Sequence, residues 1–488
     1  MKKSLLFCVF VVFILSLSAQ TVKPLYPNVA KSGWFYNFKT YPMDKGDGNE
    51  DENQYVFRDN FDEFIVYTIN KSGKVSASPV VEIPDDYRLR NQFQTNNEIV
   101  AIYSIFSKGL EKYYINTCDK KKMSWKPEQL TTMDCEKKDN CYSGVSVSPN
   151  KSHFCIMGLT TDKKKNFKDM LVMVFDAQGQ KIWENAVAPD FSNKTFEITD
   201  ITITDQGVVY LCIHAYSGEK KKTYDEKVYI IEVKETDFMQ VETSKSIGYI
   251  TAAGMTLLKN GNVFVGGYYS EKMNDNVKGS FSIMFNPKEQ TISNFSNQDF
   301  PASFSKNDIE SLGFDQIIEL SNGRIVLLGE QLTVVQYYSQ NGGSSYKYFA
   351  KNIIYTAFSS NGDIETHKII GKNQTIASFV RITDFKRLCL SFDAFEKNGN
   401  LYLIFNDNVG NINSTKKTLS TINPLMQKGK CIVKLVKIDG DNESSQIVFD
   451  GKTNKKSMHT FLFAEDNSIL FFNLGKTVSL DKVNINYK

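Results

Sequence analysis

The chain has 488 residues, and its 58 basic side chains nearly balance its 55 acidic ones. Proteins that bind duplex nucleic acid usually carry a strong basic excess, so nucleic acid is not expected as the partner. Eight cysteines in so long a chain are too few for a disulfide-framework domain.

Residues 1–19 have the pattern of a secretory signal peptide. Lys2 and Lys3 give it a basic start, and the apolar run that follows is too short to cross a membrane as a helix. Cleavage after Ala19 would leave 56 basic residues against 55 acidic ones. We therefore expect a secreted protein, periplasmic or extracellular, with no membrane insertion once the signal is removed.

Residues 20–54 show no hydrophobic period and are predicted to be an irregular N-terminal segment. Asp47, Asn49, Asp51 and Asn53 alternate as in the first half of a calcium loop. Glu52 replaces the loop glycine, however, and no glutamate stands where the bidentate ligand belongs. This pattern favours a solvated loop over an ion site.

Residues 55–488 are predicted to form a single all-β domain. Short apolar runs alternate with turn residues, and no stretch of a dozen residues has a helical period. Seven of these runs begin 54, 55, 55, 61, 77 and 68 residues apart, which indicates an internal repeat. The runs start at Ile99, His153, Val208, Val263, Arg324, Leu401 and Ile469.

Each repeat has the pattern of four antiparallel strands, named A to D in chain order. The seven apolar runs are the B strands; a shorter A strand and a tight turn precede each, and a hairpin of strands C and D follows. Asn-Gly and Asp-Gly pairs favour two-residue turns, because those turns need positive φ. Four-stranded units in series predict a seven-bladed β-propeller around a central channel.

One unit, residues 262–295, resembles a kelch blade. It closes its B strand with the double glycine Gly266-Gly267 and continues with the segment FSIMFNPKEQTISNF. The other units lack the double glycine, and Phe295 stands where the kelch tryptophan belongs. The resemblance implies a propeller and no particular activity.

The last unit supplies only strands A to C before the chain stops. We expect its D strand to come from the N-terminal hairpin at residues 64–83, which would close the ring. Pro79 suits an outermost strand, where a missing amide donor is tolerated. Because the hairpin has two strands, an eighth, hybrid blade is the alternative.

The cysteines divide into two groups. Cys135 and Cys141 flank a hydrophilic segment and are predicted to form one local disulfide. Cys155 and Cys212 lie inside apolar strands and are predicted to be small core residues. No CxxC pair is present, so a zinc knuckle is not expected.

The connections predict which face of the propeller binds. The A–B and C–D turns lie on one face and are tight, whereas the B–C and D–A loops lie on the other and are long. Long loops commonly carry binding residues. Here they combine lysines, which would attract an anionic partner, with aromatic rings, which would stack on sugars or pack on a protein. The candidate binding residues are Lys163, Lys164, Lys165, Lys220, Lys221, Lys222, Tyr268, Tyr269, Tyr337 and Tyr338. The lysines could equally serve solubility alone.

A second candidate site is the channel mouth. Asp200, Asp315 and Asp393 stand near the starts of three A strands and could converge there. Converging carboxylates could bind Ca²⁺ or act as acid and base on a glycosidic bond. Alternatively they satisfy backbone amides at the strand ends. No other cofactor is indicated.

The function that these patterns favour is a secreted, non-catalytic propeller that binds a protein or glycan through its long-loop face. The first alternative is a glycoside hydrolase or lyase that acts at the channel mouth. Such an enzyme needs two carboxyl groups about 5 to 10 Å apart in an open pocket. The second alternative is a structural component of a cell-envelope assembly.

Overall fold

The computed structural model describes nineteen stretches of the chain, namely residues 24–31, 37–41, 54–60, 63–70, 75–84, 87–135, 141–161, 167–190, 195–217, 225–244, 246–273, 275–338, 343–379, 381, 389–412, 419–451, 457–464, 468–474 and 477–484. The predicted signal peptide and the acidic run at residues 47–53 lie outside them.

Strands make up nearly all of the regular structure in these residues. In chain order they are β1 (Pro24–Lys31), β2 (Asn37–Tyr41), β3 (Gln54–Asn60), β4 (Glu63–Ile69), β5 (Val75–Ala77), β6 (Val81–Glu82), β7 (Tyr87–Gln94), β8 (Glu98–Ser107), β9 (Leu110–Asp119), β10 (Ser124–Asp134), β11 (Cys141–Val147), β12 (His153–Thr161), β13 (Phe167–Asp176), β14 (Lys181–Ala186), β15 (Thr195–Ile203), β16 (Val209–Ser217), β17 (Asp225–Val233), β18 (Phe238–Glu242), β19 (Tyr249–Leu257), β20 (Val263–Ser270), β21 (Gly279–Asn286), β22 (Thr291–Asp299), β23 (Leu312–Glu319), β24 (Ile325–Tyr338), β25 (Ser344–Phe358), β26 (Ile364–Ile370), β27 (Gln374–Ser378), β28 (Phe392–Lys397), β29 (Asn400–Asn408), β30 (Cys431–Asp439), β31 (Asn442–Asp450), β32 (Ser457–Ala464), β33 (Ser468–Leu474) and β34 (Thr477–Asn484).

Helical structure is confined to short connections, as the missing helical period predicts. The described residues contain α1 (Lys306–Ile309) and two 3₁₀ turns, Val409–Asn411 and Lys428–Lys430. Within the same residues, no helix has the length and apolar character needed to cross a membrane.

The described strands form eight antiparallel sheets, which we number I to VIII along the chain. Six of them, II to VII, contain the strands named A to D in chain order, and sheet VIII contains strands A to C with β1 in the place of D. The sheets are I (β2–β6), II (β7–β10), III (β11–β14), IV (β15–β18), V (β19–β22), VI (β23–β27), VII (β28–β31) and VIII (β32–β34 with β1). The seven predicted B strands are β8, β12, β16, β20, β24, β29 and β33, each the second strand of its own sheet. The predicted β-propeller is therefore confirmed. Sheet I is an eighth sheet built from the N-terminal strands alone, so it is not the hybrid blade of the alternative.

The hydrophobic core lies in the gaps between neighbouring sheets. One cluster of buried side chains joins each sheet to the next from I to VII. Met458 of β32 packs against residues of sheet VII, which joins sheets VII and VIII. β2 of sheet I in turn contacts β32 of sheet VIII. Sheets packed in series on both faces are the arrangement of propeller blades.

Three of the A–B turns contain a glycine with positive φ, and their loops have three residues where the sequence pattern predicts two. At the β19–β20 turn, Gly261 has a φ of 88° and donates its amide to the Leu258 carbonyl at 2.9 Å. The Leu258 amide pairs with the Asn262 carbonyl at 2.9 Å, which leaves three residues in the loop. Gly207 and Gly323 occupy the same position in two other A–B turns. The prediction of two-residue turns is wrong for these loops, because a type I turn followed by a left-handed glycine also matches the strand twist.

The prediction for the N-terminal strands is wrong in two respects. The hairpin at residues 64–83 does not pair with the C-terminal strands; β4, β5 and β6 belong to sheet I. The partner of β34 is β1, with Tyr26 opposite Leu480 and Ala30 opposite Val478. Strands β1 and β2 therefore replace the irregular structure expected within residues 20–54. The sequence pattern does not predict these strands, because β1 contains two prolines and β2 has only five residues. Proline is tolerated in β1 because β1 is the outermost strand of sheet VIII.

Sheet VI extends beyond the other sheets as a three-stranded ribbon. Residues 331–352 were predicted to be a long B–C loop, but they continue β24 and β25 as paired strands, from Leu332 opposite Ala350 to Tyr338 opposite Ser344. β27 adds a third strand along Tyr346–Ala350. The apolar run Arg324–Glu330 already has the length of an ordinary strand, so its pattern does not predict the extension.

Candidate functional site

The predicted difference between the two faces holds for some sheets and not for others. The B–C connection of sheet II is a tight turn at Lys108 and Gly109, both with positive φ. Those of sheets III and IV include residues 162–166 and 218–224, which lie outside the described residues. In sheet VII the connection is long and runs from Val409 to Lys430. Among the described residues, this face extends furthest at the ribbon of sheet VI and the long connection of sheet VII.

A buried polar network fixes the base of the ribbon to sheet VII. Lys372 forms an ion pair with Glu330, and their side chains are 0% and 2% exposed. Ser391 donates its hydroxyl to the other oxygen of Glu330. The Gln374 side chain accepts the Ser391 amide at 2.7 Å and donates to the Asn406 carbonyl at 2.7 Å. Burial lowers the pKa of Lys372, and the charge of Glu330 opposes this effect.

Breaking such a network would leave a buried charge without its partner, which is costly. Ser391 also has a φ of 74°, a left-handed conformation that a serine adopts only when its surroundings hold it there. The network therefore fixes where β27 begins, and with it the position of the ribbon.

A second segment, residues 419–430, packs against the ribbon. Ile422 accepts the Thr375 amide at 2.9 Å and donates to the Asn373 carbonyl at 3.0 Å. Leu425 packs on the small core that the ribbon forms with Tyr348 and Ile376. The ribbon, β27 and this segment thus share one surface.

We call this surface the ribbon surface and define it as the described residues 332–338, 343–352, 372–379, 381, 409–412 and 419–430. It holds six of the eleven large hydrophobic side chains that are exposed in the described residues. Tyr337, Tyr338, Phe379 and Met426 are 51%, 79%, 88% and 71% exposed. Val334 and Val409 complete the six.

The ribbon surface has cations and no carboxylate side chain. Its sequence contains Lys347, Lys351, Arg381, Lys428 and Lys430 besides the buried, ion-paired Lys372, and neither aspartate nor glutamate. Lys347 and Lys351 lie over the ring of Phe349, at 5.1 and 5.8 Å from its centre. The neighbouring carboxylate of Asp308 in α1 accepts the Asn352 side-chain amide at 3.3 Å, beside the base of the ribbon.

Two of the predicted binding residues are buried. Tyr268 is fully buried in the core between sheets V and VI, and its hydroxyl lies 3.5 Å from the Ile354 carbonyl. Tyr269 is 5% exposed and donates to Asp299 at 2.6 Å. The prediction of a surface role is wrong for both. Tyr337 and Tyr338 are exposed on the predicted face, where their role in binding stays a prediction.

The predicted lysine cluster is Lys163, Lys164, Lys165, Lys220, Lys221 and Lys222. All six lie outside the described residues, so their role also stays a prediction. The sequence did not single out Phe379 or Met426. Both follow short or irregular segments, where no period distinguishes an exposed apolar residue from a buried one.

The first channel-mouth candidate, Asp200, acts as a link between sheets. One carboxylate oxygen accepts the Ile201 amide at 2.8 Å, and the other accepts the Met255 amide of β19 at 2.8 Å. Burial raises the pKa of Asp200, and these two hydrogen bonds oppose the rise. Its oxygens therefore satisfy backbone amides, the role that the sequence offered as the alternative to catalysis.

The other two candidates lie in different sheets. Asp315 is the extra residue of a β-bulge in β23, and its charge acts on Tyr268 and Lys372. Asp393 lies in β28 opposite Ile404. No group of three or more histidine, cysteine, aspartate or glutamate side chains able to hold a metal ion occurs in the described residues. A role of Asp315 or Asp393 in catalysis or calcium binding stays a prediction.

The cysteines are mostly buried. Cys135 is disulfide-bonded. Its pairing with Cys141 stays a prediction, because the Cys141 side chain lies outside what the structure describes. Cys155 and Cys212 are free and buried in strands of sheets III and IV. Burial raises the pKa of Cys155 to about 12, which suits an inert core thiol.

Comparison with known proteins gives distant similarities only. No protein-family model matches the chain, and no curated protein matches it. Among solved structures, the chain is similar to the polysaccharide lyase Uly1, with 11% identity and a TM-score of 0.39 over 81% of this chain and 90% of the lyase. It is similar to the β-propeller domain of the Trilobed protease from Pyrococcus furiosus, with 9% identity and a TM-score of 0.36 over 82% and 94% of the two chains.

A third similar structure is the WD40 domain of SCAP from fission yeast, with 9% identity and a TM-score of 0.34 over 93% of this chain and 99% of that domain. Similarities this low assign neither an activity nor a partner. The strand order and the packing of the sheets in series identify the fold of the chain as a β-propeller.

Proposed function

We propose that this chain is an exported, non-catalytic propeller that binds a protein or glycan through its ribbon surface. The observation that carries the proposal is the clustering of exposed apolar and aromatic side chains there, with Tyr338 and Phe379 79% and 88% exposed. Large exposed apolar patches on proteins commonly mark interaction sites.

Two further features support binding at this place. The buried network of Lys372, Glu330 and Gln374 holds the ribbon in one position, and a preorganised surface loses less entropy on binding. Aromatic rings beside cations suit an anionic protein or an acidic glycan. The hydrogen bonds of Asp200 to backbone amides disfavour the alternative of an acid–base pair at the channel mouth.

The proposal is tested with two matched triple variants. The ribbon variant replaces Tyr337, Tyr338 and Phe379 by serine. The control variant replaces Tyr142, Ile182 and Phe238 by serine, three exposed apolar residues on other sheets. Both should melt near the wild-type temperature, because substitutions at exposed positions usually change stability by under about 0.5 kcal/mol.

The measurement is retention on immobilised protein and polysaccharide fractions of the native extracellular or periplasmic milieu. Wild type and control should be retained about tenfold more strongly than the ribbon variant, since interface aromatics commonly dominate binding energy. Bound glycan should keep its length on prolonged incubation. Equal retention of all three proteins would contradict the binding site, and shortened glycan would favour the hydrolase or lyase alternative.

A further inference from the structure

The β24 edge of the ribbon is covered by no described strand. β24 pairs with β23 only as far as Gln331, whereas its pairing with β25 continues to Tyr338. β27 covers the far side of β25 along Tyr346–Ala350. From Thr333 to Tyr338, β24 therefore has β25 on one side and no described strand on the other.

This edge lacks the residues that protect outermost strands elsewhere in the same molecule. β1 contains two prolines, and β10 contains Lys126, Pro127 and Glu128. Such residues keep exposed edges from pairing with further strands. The segment TVVQYY at residues 333–338 has no charge, no proline and no glycine. Four of its six residues, Val334 and the run 336–338, are exposed, so another extended chain can reach this edge.

Charge distinguishes the occupants that could use this edge. The ribbon surface is cationic and has no carboxylate side chain, with Lys347 and Lys351 on the strand next to the open edge. A second copy of the chain, paired edge to edge, would bring an identical cationic surface close to the first. A strand with acidic side chains would instead be complementary, and complementary charge favours both association and specificity.

We propose that the open edge of β24 binds an extended, acidic peptide segment of a partner protein, which adds to the ribbon as a further strand. The inference rests on the proposed function and names the partner class for the same surface. Backbone hydrogen bonds to residues 333–338 supply affinity, as in other cases of strand addition. Acidic side chains of the peptide pair with the lysines, which share a face with Val335, and its apolar side chains pack on the other face beside Val334 and Tyr338.

The test uses four probes: a capped peptide of alternating valine and glutamate, its fully N-methylated form, the same peptide with lysine for glutamate, and a soluble polyuronate. Binding is measured by calorimetry with wild type, with the double variant Lys347→Glu/Lys351→Glu, and with Lys288→Glu as a control on the opposite face. Amide hydrogen exchange is measured with and without peptide.

The glutamate peptide should bind wild type and Lys288→Glu alike and slow amide exchange at residues 333–338. N-methylation should abolish binding. The double variant should bind the glutamate peptide about tenfold more weakly and gain affinity for the lysine peptide.

Equal binding of the N-methylated peptide would overturn the inference, because strand addition needs backbone amides. Binding of the polyuronate alone, or self-association of the protein without peptide, would overturn it in favour of a glycan or a second copy. A glycan result would leave the proposed function standing. If no probe binds and the ribbon variant is retained like wild type, both proposals fail.

Discussion

At the residue scale, His367 is a buried residue of the core between sheets V and VI. Its Nε2 lies 2.8 Å from the Ser280 hydroxyl, and the Phe300 ring packs edge-on with 5.1 Å between ring centres. Burial lowers the pKa of His367 to about 4, from an ordinary value of 6.5. The neutral ring thus fills the gap between sheets V and VI at neutral pH.

This pKa shift predicts that stability falls as the pH falls. Between about pH 6.5 and pH 4 the unfolded chain binds a proton at His367 that the folded chain does not, so acid favours unfolding, by up to about 3 kcal/mol at the lower end. We expect His367→Gln to be less stable at neutral pH but to lose this part of the pH dependence. Urea unfolding of both proteins across this pH range gives the comparison.

His153→Gln is the control, because His153 lies at an A–B turn and is partly exposed. It should keep the wild-type slope of stability against pH. If His367→Gln has the same slope as wild type, His367 is not the source of the loss of stability at low pH.

Two tyrosine pairs show that the local sequence does not predict which side chains are buried. Tyr268-Tyr269 and Tyr337-Tyr338 both end an apolar B strand, yet the first pair is buried and the second exposed. Tyr268 can be buried because the neighbouring sheet VI has a glycine, Gly329, opposite its ring. A Cβ at position 329 would come within 2.6 Å of that ring. Gly329 leaves the space that the ring occupies. Which residues face each other across two sheets is not encoded in the local pattern.

At the element scale, the B strands and the positions of the turns were predictable, whereas the length of the turns and the N-terminal strands were not. The B strands are uniformly apolar because both faces pack on neighbouring sheets, as in β20, where every residue is buried. Strands β1 and β2 have no such pattern. β27 has five residues and is defined only by its partner, β25. Strands that are specified by their partner more than by their own period are missed.

The pairing of β1 with β34 predicts a specific effect of N-terminal truncation. A chain that begins at residue 32 lacks β1, so β34 keeps only β33 as a partner. We expect a loss of roughly 2 to 4 kcal/mol in unfolding free energy, since each lost backbone hydrogen bond contributes about 1 kcal/mol net. Chemical denaturation of the purified proteins measures it.

The control for this truncation is a variant that lacks the strand residues at the tip of the ribbon. Replacing residues 337–345 by Asn-Gly joins Gln336 to Tyr346, which are already opposite each other. This variant should unfold close to wild type, because the tip lies outside the packed sheets. Equal losses in the two variants, or none in the truncated chain, would argue against β1 as the strand that completes sheet VIII.

At the scale of the whole molecule, the propeller supports the ribbon of sheet VI and the long connection of sheet VII. Clusters of buried side chains join the sheets in series, so that the ribbon of sheet VI and the long connection of sheet VII have a fixed base. The long loops of the sequence predict which face binds. The sequence could not show that one loop is a ribbon, because the strand pairing beyond Gln331 follows from the partner strand.

The most direct test of binding through the ribbon surface is photo-cross-linking from single positions in the native milieu. A photoreactive phenylalanine analogue replaces Tyr338 in one protein and Phe238, an exposed aromatic of sheet IV, in the other. We predict a discrete cross-linked partner from position 338 that position 238 does not give, with a yield that falls as salt screens the lysines. The same products from both positions, or none from position 338, would contradict the account.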